Sequence, residues 1–80
     1  MTKAKYIKTK SGDIIVFSAA MMHSEFKHYN PISAGFIDFY INNEGNPTCS
    51  CFGESISLGL ISDEEEDTRL ARIQLGLIFY

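Results

Sequence analysis

The chain has 80 residues, a net charge of −3, and 45% hydrophobic against 21% charged residues. That mixture belongs to one small globular domain spanning 1–80 and excludes a disordered or collagen-like chain. No apolar run approaches the length of a membrane span, and the start MTKAKYIKTK lacks the apolar core of a signal peptide. A cytoplasmic protein without membrane contact is therefore expected, and the negative balance argues against nucleic acid as its main partner.

In chain order, residues 4–10 and 13–18 read as a hairpin. Ser11-Gly12 serves as a two-residue turn that sets Tyr6 opposite Phe17, Ile7 opposite Val16 and Lys10 opposite Asp13. The first strand carries lysines on both faces, which suits an edge. The unbroken run Ile14, Ile15, Val16, Phe17 suits a central strand covered on both sides. Ser18 is placed to cap a short helix over 19–24, with strand or loop as the alternative, and Asn30-Pro31 ends that stretch. Residues 32–42 form a strand in which Gly35 marks a bulge or a close backbone approach. After the loop NNEGNP, a strand over 48–60 bends at Gly53-Glu54 and then alternates strictly, with Ile56, Leu58 and Leu60 on its buried side.

At Ser62 the period becomes helical. Ser62 with Glu65 makes a capping box, Asp63, Glu64, Glu65, Glu66 and Asp67 complement the helix dipole, and Gly76 closes a helix over 63–75. The sum is an α+β fold: a small, mostly antiparallel sheet of about four or five strands packed by one C-terminal helix. The apolar residues 77–80 need a docking place, in an edge strand or on a second copy of the chain, so self-association through this tail is a further expectation.

Chemistry-bearing residues are sparse. Cys49 and Cys51 stand two apart in a strand, with both thiols on one face. With His23 and His28 they compose a four-ligand set on paper, but an i,i+2 cysteine pair is hard to bend onto one metal. Buried free thiols are the simpler reading. His23, Ser24, Glu25 and His28 do not make a nucleophilic triad, because no G-x-S-x-G elbow accompanies them. Phosphate-cradling glycine loops are absent too, so neither enzyme nor cofactor is expected. Asp38, between Phe36 and Tyr40 on its strand face, is expected to be exposed or edge-facing.

The segments SAGF (33–36), CFGESISLGLIS (51–62) and EDTRLARIQLG (66–76) resemble a pattern found in small uncharacterised proteins of bacteriophages and mobile elements. The resemblance implies an accessory protein acting in a bacterial host and brings no catalytic or binding residues with it. The expected function is a protein-interaction module that binds a host or self partner. Its candidate contacts are His23, Phe26, His28 and Tyr29, with Asp63, Glu64, Glu66 and Asp67 at the helix start. A metal or thiol protein using Cys49/Cys51 with His23/His28, and a nucleic-acid binder using the lysine-bearing hairpin, are the alternatives.

Overall fold

Lysine-bearing β1 (Thr2–Thr9) runs through the interior of a four-stranded antiparallel sheet ordered β2-β1-β3-β4, with β2 at Ile14–Phe17, β3 at Pro31–Ile41 and β4 at Pro47–Phe52. The structure is a computed structural model and describes residues 2–77. A 3-10 helix (His23–Tyr29) follows β2, a two-stranded ribbon of β5 (Glu54–Ser55) and β6 (Leu60–Ile61) follows β4, and α1 (Glu64–Gln74) closes the chain. This is the expected α+β arrangement of antiparallel sheet and C-terminal helix. Among the described residues, no helix is long and apolar enough to cross a membrane.

Both faces of the sheet are covered. On one, Tyr6, Ile37, Cys49 and Cys51 pack with Ala71 of α1, and Ile14, Val16 and Leu77 border them. On the other, Ile7, Phe17 and Ala34 pack under Phe26 of the 3-10 helix and under Leu58 and Leu60 of the ribbon. Of the tail 77–80 only Leu77 lies within the described residues, and it joins the first cluster.

Several expectations are corrected. β1 is central and β2 is the edge, the reverse of the sequence reading. The lysines are tolerated inside because each has a partner. Lys3 Nζ lies 4.5 Å from the Phe36 ring centre, Lys5 Nζ donates to the Met21 carbonyl at 2.7 Å, and Lys8 is ion-paired. β2 is nonetheless flanked by packing on both faces, which accounts for its apolar run.

The hairpin register is one residue off the expected one, with Tyr6 opposite Val16 and Ile7 opposite Ile15. Its loop has three residues rather than two. The Gly12 N–H donates to the Thr9 carbonyl, Thr9 and Asp13 close the loop, and Gly12 takes φ 93°.

The expected strand over 48–60 is broken: residues 56–59 are not strand. Gly53, at φ 82°, turns the chain out of the β4 ladder, and 56–59 form a turn between β5 and β6 that leaves Ile56 88% exposed. The expected helix over 19–24 is replaced by a turn, and the 3-10 helix starts at His23, where the Glu25 carboxylate accepts the Met22 N–H. Ser62 does not cap α1; Asp63 holds that position. The C-terminal end follows expectation: with Gly76 at φ 71°, the Leu77 and Gly76 N–H groups return to the carbonyls of Arg72 and Ile73.

Candidate functional site

The side of α1 turned to the sheet carries Asp67, Ala71 and Gln74, spaced i, i+4, i+7. Asp67 is completely buried, so it leaves the exposed acidic surface that the sequence suggested. Its Oδ2 accepts from Tyr6 Oη at 2.6 Å, Ser33 Oγ at 2.7 Å and the Asp63 N–H at 3.2 Å. Lys8 Nζ stands 2.6 Å from Oδ1; this oxygen is held by charge, since it makes no aligned hydrogen bond. Because the Tyr6 proton goes to Asp67, Ser62 Oγ donates to the Tyr6 oxygen, which is why Ser62 is not free to cap the helix.

Burial alone would raise the Asp67 pKa, but the Lys8 ammonium beside it and the hydrogen bonds from Ser33 and Tyr6 outweigh it and hold the carboxyl below its ordinary value. The Tyr6 hydroxyl is pushed upward by burial and by its bond to Asp67. Lys8 is 7% exposed, so no face of this cluster is open to a substrate. It ties β1, β3 and α1 together and does not carry chemistry.

The cysteines and histidines are not brought together. Cys49 and Cys51 are free and buried beneath α1. Burial, then the charges of Cys49 and Asp67, push the Cys51 thiol up to about 12, and burial raises Cys49 against the pull of Arg72. Neither is a nucleophile near neutral pH. His23 belongs to the opposite layer, between Phe17 and Phe36, and donates from Nε2 to the Gly35 carbonyl at 2.8 Å. No group of three or more potential ligands among the described residues is arranged to hold a metal.

Two surfaces remain from the candidate residues. On the 3-10 helix, Phe26 stacks on Phe17 with ring centres 4.0 Å apart, Tyr29 stacks beyond it at 6.2 Å, and His28 lies 4.2 Å from Tyr29. The ladder runs from the core to solvent, where Tyr29 is 45% exposed and Met22, just before the helix, 57%. His23 is buried below it as its support. The second surface is the start of α1, where Asp63 and Glu64 are exposed and Glu66 is paired with Arg69. Met22 was missed by sequence reasoning; its place in an apolar-polar segment before the aromatics was the available signal. Asp38, set opposite Lys3 across β1 and β3, is half-buried and touches neither surface. Comparison of the chain with known protein families, characterised proteins and solved structures returned no match.

Proposed function

We propose that this chain is a small protein-interaction module, acting in a bacterial host as an accessory protein of a bacteriophage or mobile element. The observation that supports the module is the aromatic ladder. Tyr29 and His28 present a mixed aromatic and polar surface whose position is set by stacking on Phe26 and Phe17. Such a rigid aromatic loses little freedom on binding and makes a good anchor. The second contact surface is Asp63, Glu64 and Glu66 at the start of α1. The bacterial setting rests on the sequence resemblance alone.

The test is affinity capture from bacterial lysate with the wild-type chain and with a Met22→Ser/Tyr29→Ala variant, compared by quantitative mass spectrometry. Both side chains are substantially exposed, so the fold should persist and is checked by circular dichroism. A partner held through this surface should be lost from the variant, since anchor truncation costs about 2 kcal/mol or more. Identical capture by both proteins, or none by either, would overturn the reading.

A further inference from the structure

The cover on the second face of the sheet is confined to one end. Residues two apart on a strand share a face, so Lys3 and Lys5 stand on the side of Ile7, and Phe36, Asp38 and Tyr40 on the side of Ala34. The 3-10 helix and the ribbon pack over Ile7, Phe17 and Ala34, whereas Lys3, Phe36, Asp38, Tyr40, Ser50 and Phe52 join neither buried cluster. The register sets Lys5 opposite Phe36 and Lys3 opposite Asp38, then Phe36 opposite Phe52 and Asp38 opposite Ser50.

Three strands thus lay out one platform. The half-buried rings of Phe36 and Phe52 lie side by side, with centres 5.9 Å and planes 30° apart. The exposed Lys3 holds its ammonium 4.5 Å from the Phe36 centre and 5.8 Å from that of Phe52, so a mobile cation rests where the rings meet solvent. Next to them, Tyr40 Oη and Ser50 Oγ are hydrogen-bonded at 2.7 Å. The charge on this side differs from that of the whole chain. The exposed acids Asp63, Glu64 and Glu65 lead into α1, which packs on the opposite face against Tyr6 and Ile37, while the platform sets Lys3 and Lys5 beside Asp38.

We propose that this platform binds single-stranded RNA, a function beyond the interaction module and independent of it. Bases stack on Phe36 and Phe52 once Lys3 swings from the rings to a phosphate, and Lys5 takes a second phosphate. Asp38 repels phosphate but accepts a ribose 2′-hydroxyl, a donor that RNA carries at every sugar and DNA lacks, which favours RNA as the occupant. A duplex does not fit, because its paired and stacked bases offer the rings no free face. The lysines come from β1 and the rings from β3 and β4, so only the folded sheet brings the two together.

The test is fluorescence anisotropy with the whole chain and a labelled single-stranded oligouridylate. Controls are the matching deoxy oligomer and an RNA duplex. The RNA should bind, with a log–log salt slope of about −1.4, as two neutralised phosphates require on a single strand, and both controls should bind more weakly. Phe52→Leu, which stays apolar but removes one stacking ring, should weaken RNA binding about tenfold. Lys3→Gln, at an exposed position where the fold does not depend on the side chain, should weaken it and flatten the slope by about 0.7. Asp38→Ala should abolish the preference for RNA over the deoxy oligomer. Met22→Ser/Tyr29→Ala should leave RNA binding unchanged, so this function and the ladder partner are read separately. Absence of RNA binding at low salt, equal binding of either control, wild-type affinity in both Phe52→Leu and Lys3→Gln, or an RNA preference that survives Asp38→Ala would overturn the proposal.

Discussion

Asp67 is the residue on which most of the fold's polar contacts converge. Removing its charge leaves Lys8 buried without a counter-ion, so Asp67→Asn should cost on the order of 3–5 kcal/mol in urea unfolding. Removing both charges together, as Lys8→Met/Asp67→Leu, should recover part of that loss, since no uncompensated charge is then buried. A double variant as unstable as the single one would show that the hydrogen bonds from Tyr6 and Ser33, not the ion pair, dominate. In the sequence, Asp67 is the last of five consecutive acids and reads as surface. Only its phase with Ala71 and Gln74 separates it from its neighbours. The run's charge masked that phase, and nothing local identifies Tyr6, Lys8 and Ser33 as its partners, since they are supplied by strands far away in the chain.

At the level of elements, the turn of the chain out of β4 at Gly53 depends on a close approach at Gly35. A Cβ there would lie 2.3 Å from the Phe52 carbonyl oxygen, so Gly35→Ala should force backbone movement and cost about 1–3 kcal/mol in thermal or chemical unfolding. An unchanged midpoint would mean that the strands can separate freely at this point. The number and kind of main elements were legible because strand alternation, the helical period after Ser62 and the closing Gly76 are local signals. Register and strand order were less so. The Lys10-Ser11-Gly12 stretch satisfies both a two-residue turn and a three-residue loop; a two-residue turn needs positive φ at Ser11 as well as Gly12, and Ser11 does not adopt it, so Thr9 and Asp13 close the longer loop. β1 looked like an edge because its lysines find their partners on Phe36, Met21 and Asp67, all remote in sequence. The alternating stretch after Gly53 carried a true strand period, yet Ser55 is held inside, where its hydroxyl accepts the Leu58 N–H and supports a turn instead.

For the whole molecule, two buried groups set the acid side of the stability curve. Burial lowers the His23 pKa from its ordinary 6.5, against the Gly35 carbonyl, which favours the protonated ring. The unfolded state therefore takes up the proton first, and stability present above about pH 6.5 falls as the pH drops below it. Asp67 has the same sign at lower pH. Its folded carboxyl stays ionised where the unfolded one has begun to protonate, so its contribution is lost as the pH falls through the carboxylate range. Unfolding midpoints measured across pH should decline in two stages. His23→Gln, which keeps an N–H donor for Gly35 but does not titrate, should remove the first stage only. Persistence of that stage in the variant would assign it to another group.

The hydrogen bond between Tyr6 and Asp67 joins residues 61 positions apart, the interior strand to the final helix. On a translating ribosome, β1 is made well before its carboxylate partner. Until α1 emerges, Lys8 has no counter-ion in the strand on which both β2 and β3 must pair. Completion of the sheet is thereby deferred until α1 has been made, and the growing chain holds its central strand unsecured until then.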